Sequence, residues 1–389
     1  MIPYGRQDIS EEDIAKVEAV LRSDFLTQGP ITPKFEDAVA GYCGADHAIA
    51  VNSATSALHL ACLALDLGPG DWLWTSANTF VASANCGLYC GANVDFVDID
   101  QRTYNMSLDD LSDKLAKAEK ESRLPKVVIP VHFAGQSCDM AAIKALANRY
   151  AFKIIEDASH AIGASYKNVK VGSCEYSDVT VFSFHPVKII TSAEGGMALT
   201  NNKEIADRIR QLRTHGITND SSIFEHTPED EIWNYQQQRL GFNYRMTDVH
   251  AALGLSQLGR LDEFVKRRHS IAERYDRELD ELPLITPWQH PDNYSAWHLY
   301  PVLLDLTKTN ATQRFVYQSL QEQGILANLH YIPVYRQPYF AEMGFRKNYC
   351  PNAEAYFKSA ISIPMFANLT EAQQGEVIQA LGKSFERDG

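Results

Sequence analysis

Between His47 and Thr200 short apolar runs alternate with amphipathic stretches, and this alternation restricts the fold more than any other feature of the chain. His47–Val51 reads as a strand, followed by a turn at Asn52-Ser53 and a helix to about Leu65. The turn Gly68-Pro69-Gly70-Asp71 leads into a second strand, Trp72 to Thr75, and Val94 to Asp98 is a third. Val127 to His132 is a fourth; a helix over Met140–Tyr150 then precedes a strand ending at Asp157. Strand, helix and strand within about thirty residues make a parallel crossover unit. The apolar run Val179–Phe182 reads as a buried strand, and Gly195-Gly196 turns the chain into another, Met197 to Thr200. The spacing predicts an α/β protein with a large, mostly parallel sheet flanked by helices. A helix over Glu11–Leu21 precedes it. The long charged helix Gly259–Leu282, a strand over Trp297–Leu304, a helix over Gln313–Gln323 and the segment Asn328–Phe340 predict a smaller α+β unit. The expected division is residues 1–255 and 256–389.

A net charge of −13 argues against a non-specific nucleic-acid binder, which needs a basic patch. It leaves room for an anionic small molecule, because a local pocket can oppose the global sign. Met1-Ile2-Pro3-Tyr4-Gly5-Arg6 lacks the charged-then-apolar layout of a signal peptide, and no apolar run reaches membrane-spanning length. The seven cysteines are scattered, odd in number and without CxxC spacing, which predicts reduced, buried thiols in a cytoplasmic protein. Cys86 and Cys90 sit four apart and read as core filling.

The run Ser183-Phe184-His185-Pro186-Val187-Lys188, continuing to Ala193-Glu194-Gly195-Gly196, places one lysine in a short connection after a strand. Upstream, Lys153-Ile154-Ile155-Glu156-Asp157-Ala158-Ser159-His160 places a carboxylate at another strand end. A lysine able to form a Schiff base, paired with a carboxylate facing a pyridine nitrogen, is the requirement of pyridoxal phosphate (PLP) chemistry. Taken alone, Lys188 reads as a solvated charge and Asp157 as a helix cap. Asn52-Ser53-Ala54-Thr55-Ser56, between strand and helix, offers free N–H groups for a phosphate or, equally, an ordinary serine cap. Ser183 can add a hydroxyl to the same phosphate, and Phe80 and His160 can clamp the ring; a core aromatic and a structural histidine are the competing readings.

In this order the motifs resemble the nucleotide-sugar aminotransferases of the DegT/DnrJ/EryC/StrS type, within the fold-type I PLP enzymes. The likeness covers essentially the whole chain. Its markers include Leu26-Thr27-Gln28-Gly29-Pro30, Asn52 to Leu58, Glu156 to His160 and Gly241-Phe242-Asn243-Tyr244-Arg245-Met246. The resemblance implies Lys188 as the Schiff-base lysine, Asp157 as partner of the ring nitrogen, and Ala54, Thr55 and Ser183 on the phosphate. It implies that Asn243 reaches the cofactor phosphate of a neighbouring subunit, hence a homodimer with shared sites; a plain turn residue is the alternative. His160 stands where many relatives carry glutamine, and implies a contact to the ring.

Within the family, the wording around Lys188 and His330-Tyr331-Ile332-Pro333-Val334-Tyr335 is most similar to the pseudaminic-acid branch. That branch moves the amino group of L-glutamate to C4 of a UDP-linked 4-keto-6-deoxy-N-acetyl-hexosamine. The likeness implies a substrate site of Tyr4, Asp24, Phe25, Leu26, Thr27, Ala54, Ser183, Asn243, Asn328, Leu329, His330 and Tyr331. Arg245 fits a substrate anion and a structural ion pair about equally. Other 4-keto nucleotide sugars (dTDP- or GDP-linked, or the D-gluco UDP sugar) and a catalytically idle PLP-binding regulator are the alternatives. Retention of Lys188 disfavours the sugar dehydratases, which carry histidine there.

Overall fold

The computed structural model describes residues 1–225 and 233–386; residues 226–232 and 387–389, the latter ending the expected second domain, lie outside the described residues. Its centre is a seven-stranded sheet. In chain order the strands are β1 (His47–Val51), β2 (Trp72–Ser76), β3 (Asn93–Val97), β4 (Val127–Ile129), β5 (Lys153–Asp157), β6 (Val179–Ser183) and β7 (Gly196–Thr200). Across the sheet they run β1-β7-β6-β5-β4-β2-β3. All neighbours are parallel except β7, which runs antiparallel to both β1 and β6. The strands are buried along nearly their whole length, as sheets covered on both faces must be, which is why they read as continuous apolar runs.

Register fixes where the strand ends meet. Gly196 opens β7 opposite both Val51, the last residue of β1, and Ser183, the last of β6. Asp157 ends β5 opposite Val181. The carboxyl ends of β1, β5 and β6 therefore share one edge, where ligands of open α/β sheets bind. The expected strand Val127–His132 ends at Ile129, because Pro130 has no N–H for the ladder. Pairing resumes as a single bridge between Val131 and Asp157, and the Asp157 N–H donates to Pro130 O at 2.9 Å.

A second core gathers Ile2 with residues between Ile271 and Leu381. It is built on a three-stranded antiparallel sheet (Leu284–Ile285, Tyr300–Leu304, Ala360–Ile363) and the helices Leu261–Glu278, Gln313–Glu322 and Glu371–Glu386. The helix expected over Gly259–Leu282 stops at Glu278, short of Pro283. The strand expected from Trp297 begins at Tyr300, because Ala296 N and Leu299 N donate instead to Gly135 O and Ala134 O, at 3.0 and 3.3 Å. At the other end of the chain, Ile2–Pro3 pairs in parallel with Ile325–Leu326, and Met365 N donates to Tyr4 O at 2.9 Å. These bonds carry Tyr4 to the edge of the first sheet.

Candidate active site

A cavity of about 600 Å³ opens at that edge. The strand ends supply Asp157, Ser183 and, through the following turn, Lys188; the turn after β1 supplies Ser53, Ala54 and Thr55; Tyr4 and Asn328 to Tyr331, which follow the paired segments Ile2–Pro3 and Ile325–Leu326, close it. Lys188 is the one lysine or arginine among the described residues lining it.

The connection carrying Lys188 is pinned at both ends. Phe184 N donates to Gly195 O at 2.9 Å, Ser192 N to Phe184 O at 2.9 Å, and Lys188 N to His185 O at 2.9 Å. Among the described residues the Lys188 amine has no hydrogen-bond or ion-pair partner. Burial brings its pKa down to about 8, against the opposing pull of the Asp157 carboxylate. An enclosed amine of this kind sheds its proton near neutral pH, which a surface lysine does not.

Asp157 is buried and hydrogen-bonded on both oxygens. Ser83 Oγ donates to Oδ2 at 2.6 Å; Ser159 Oγ and Ser159 N donate to Oδ1 at 2.6 and 3.1 Å. No helix follows Asp157, so the helix cap weighed from sequence is not formed; the carboxylate holds a turn through Ser159 and lines the cavity. Ser83 is itself held by Thr79, oxygen to oxygen at 2.8 Å.

At the far end, Ser53 caps the helix Ala54–Ala64 by accepting from Ser56 N at 3.1 Å. The next N–H groups, of Ala54 and Thr55, have no partner within the helix and sit at its positive end. Gly196 makes room for this turn: a Cβ there would lie 2.3 Å from the Ser53 carbonyl carbon and 2.4 Å from Ala54 N.

His160 is 5% exposed; its Nε2 lies 3.1 Å from Tyr331 Oη, and its enclosed Nδ1 has no partner among the described residues. Burial, then the Lys188 charge, holds His160 well below the usual histidine range; the same two causes bring His330 down to about 3. Burial and the Asp157 charge push the Tyr331 phenol up. Both imidazoles and the phenol are therefore neutral. Phe80, 59% exposed, stands on the wall; the competing reading of a core aromatic is overturned, since its ring faces the cavity and not the interior.

Five residues expected at the site do not line this cavity. Asp24, Phe25, Leu26 and Thr27 are exposed, tied to the stretch after Arg245 by a Thr27–Thr247 bridge and by Asp248 N donating to Leu26 O at 3.0 Å. Asn243 is exposed too, with its carbonyl 3.5 Å from Asn52 Nδ2. Arg245 forms no ion pair among the described residues, so the structural pairing weighed from sequence is absent. Sequence reading gave no role to Ser83, Ser159 or His298; Ser159 lies within the Glu156–His160 marker, while Ser83 and His298 stand in no pattern that singles them out.

These residues fit PLP. An unpartnered amine and a fixed carboxylate share one cavity, helix-end N–H groups can donate to its phosphate, and an enclosed imidazole nitrogen is free to pair with it. Fold and cavity define a PLP-dependent aminotransferase. The chain belongs to the DegT/DnrJ/EryC1/StrS aminotransferase family, whose sequence profile matches residues 7–382. It is 39% identical over 383 residues to the spore coat polysaccharide biosynthesis protein SpsC of Bacillus subtilis, covering 98% of this chain and 96% of that protein. It is 38% identical over 365 residues to the UDP-4-amino-4,6-dideoxy-N-acetyl-beta-L-altrosamine transaminase of Campylobacter jejuni, covering 94% and 92%. Among solved structures, Spr1654 of Streptococcus pneumoniae, a candidate sugar aminotransferase in its PMP form, superposes with a TM-score of 0.91 at 29% identity, covering both chains fully (100% of each). Helicobacter pylori PseC, an aminotransferase of pseudaminic acid biosynthesis, superposes with a TM-score of 0.88 at 30% identity, covering 99% of each chain. Among the described residues no helix is long and apolar enough to cross a membrane.

Proposed function

We propose that this enzyme moves the amino group of L-glutamate to C4 of a UDP-linked 4-keto-6-deoxy-N-acetyl-hexosamine, the amination step of pseudaminic acid synthesis. The observation that carries the catalytic reading is the unpartnered Lys188 amine in one cavity with the Asp157 carboxylate. The sugar is supported by the likeness to the Campylobacter transaminase and to PseC. The equal likeness to SpsC favours a second reading, amination of a different 4-keto nucleotide sugar.

Bound here, PLP supplies an electron-accepting ring through which an amino group passes from donor to keto sugar. Lys188 would anchor it, and its amine would hold and move the proton at the reacting carbon. Asp157, fixed by Ser83 and Ser159, would be the carboxylate that keeps the ring nitrogen protonated. The Ala54 and Thr55 N–H groups and the Ser183 hydroxyl would hold the phosphate, and Phe80 and His160, with its free Nδ1, would contact the ring. Tyr4 and Asn328 to Tyr331 orient the sugar nucleotide and exclude water. Asn243 and Asp24 to Thr27, exposed and outside the cavity, belong to the face that meets a second copy, which makes the protein a homodimer with shared sites. The seven free, buried cysteines support a cytoplasmic location.

The test is a glutamate-consumption assay against a panel of UDP-, dTDP- and GDP-linked 4-keto sugars, with the configuration of the product read by NMR. The L-altro UDP-4-amino product is expected. A clear preference for another sugar moves the protein to the second reading, and bound PLP with no glutamate reaction leaves a cofactor-binding regulator.

A further inference from the structure

His298 is 3% exposed, lines the cavity and makes no contact the chemistry above employs. Its ring centroid lies 4.3 Å from that of His160, with the two planes at 45°. The rings arrive from distant parts of the chain: His160 follows β5, and His298 sits in the stretch 295–299 that precedes a strand of the second core.

The backbone of that stretch is fixed on two sides. Ala296 N and Leu299 N donate to Gly135 O and Ala134 O at 3.0 and 3.3 Å. From the other side, the fully buried Arg268 donates through Nη1 to the carbonyls of Trp297, His298 and Met365, at 3.0, 3.2 and 2.9 Å. Gly135 permits the approach: its φ is +105°, and a Cβ would lie 2.7 Å from Trp297 N and 3.0 Å from His298 N. A ring delivered by so constrained a backbone makes a firm platform.

His160, in contrast, is tied at one atom, Nε2 to Tyr331 Oη. An imidazole with a single hydrogen bond can pivot about it, and the tilted contact of a second ring restricts that freedom. The titratable groups facing this ring pair are Lys188, His330, Arg268 and the Tyr331 phenol. Burial, reinforced by the basic groups among them, keeps both rings neutral, so the rings pack without charge repulsion.

We infer that His298 is a positioning residue: packed against His160, it fixes the plane in which the Nδ1 edge of His160 meets bound PLP. The inference rests on the PLP reading of the cavity. It is tested by titrating apo-enzyme with PLP and following both the dissociation constant and the pH midpoint of the bound cofactor's absorbance, in wild type, His298→Ala, His298→Phe, His160→Ala and the double alanine variant. His298→Ala should weaken PLP binding about tenfold and shift the midpoint, as expected for side chains in direct contact. His298→Phe, which keeps a ring against His160, should stay within about threefold of wild type, and the double variant should be no worse than His160→Ala alone. Wild-type binding and midpoint in His298→Ala, additive losses in the double variant, or a His298→Phe as weak as His298→Ala would each overturn the inference. Wild type that takes up no PLP sinks the cofactor reading itself, a result distinct from all three.

Discussion

Ser83 Oγ donates to Asp157 Oδ2 at 2.6 Å, and both side chains are buried. The bond links the helix Ala82–Tyr89 to the end of β5 and sets the angle at which the carboxylate faces the cavity. Ser83→Ala removes a hydrogen bond to a charged group, for which about 1.5 kcal/mol, roughly a tenfold loss in kcat/KM, is expected. Because Ser159 holds the other oxygen, Ser83→Ala/Ser159→Ala should fall well below either single variant. Steady-state kinetics on the preferred sugar checks both. A single variant with wild-type kcat/KM would show that Ser159 alone positions the carboxylate.

Lys188 gives a prediction about the apo-enzyme. Burial lowers its pKa from 10.5 to about 8 in the folded state. The unfolded chain therefore binds the proton more tightly than the folded one between those two values, and folding stability rises with pH across that window. Below about pH 8 both states are protonated, and the full cost of burying the ammonium persists. Lys188→Met removes it, so the apo variant should be more stable than apo wild type at neutral pH, by a few kcal/mol at most, and the stability difference between the two should shrink as pH rises from about 8 to 10.5. Urea unfolding at several pH values decides the matter. A variant less stable than wild type at pH 7 would mean the amine is solvated in the cavity.

Much of this site was legible before any coordinates. Lys188, Asp157 and Ser183 stand at ends of continuous apolar runs, and parallel strands deliver such ends to one edge. What periodicity cannot convey is which sequence-distant backbones touch. Gly135 brings the stretch 295–299 beside His160, and nothing in Trp297-His298-Leu299 distinguishes His298 from a core histidine. Ser83 is one small polar residue on an apolar helix, and its meaning comes only from the crossing of that helix with β5. Asn243 and Asp24 to Thr27 came from resemblance alone; in a single chain they lie on the surface, where no strand end points.

Gly196 is where strand register and the phosphate end of the cavity depend on each other. Gly196→Ala puts a methyl group 2.3 Å from the Ser53 carbonyl carbon and 2.4 Å from Ala54 N, both backbone atoms that no rotamer change can move aside. The helix Ala54–Ala64 or β7 must shift, at an expected cost of about 1–3 kcal/mol. The shift displaces the Ala54 and Thr55 N–H groups, so PLP affinity should fall more steeply than thermal stability. Cofactor titration and calorimetry on the same preparation separate the two. Equal PLP affinity in wild type and Gly196→Ala would show that this turn does not hold the phosphate.

The homodimer proposal yields a complementation experiment. Asn243 lies on the surface beside Asn52, outside the cavity that holds Lys188 of its own chain. If it serves the cavity of a second copy, each active site draws Lys188 from one chain and Asn243 from the other. Lys188→Ala and Asn243→Asp should each be inactive or nearly so as homodimers, the second because a carboxylate would face the cofactor phosphate. Mixed and allowed to exchange subunits, they form heterodimers in which one site pairs the intact Lys188 of one chain with the intact Asn243 of the other. Activity should appear on mixing and grow with exchange time. Were Asn243 to act within its own chain, every site in the mixture would carry one lesion, and mixing would restore nothing.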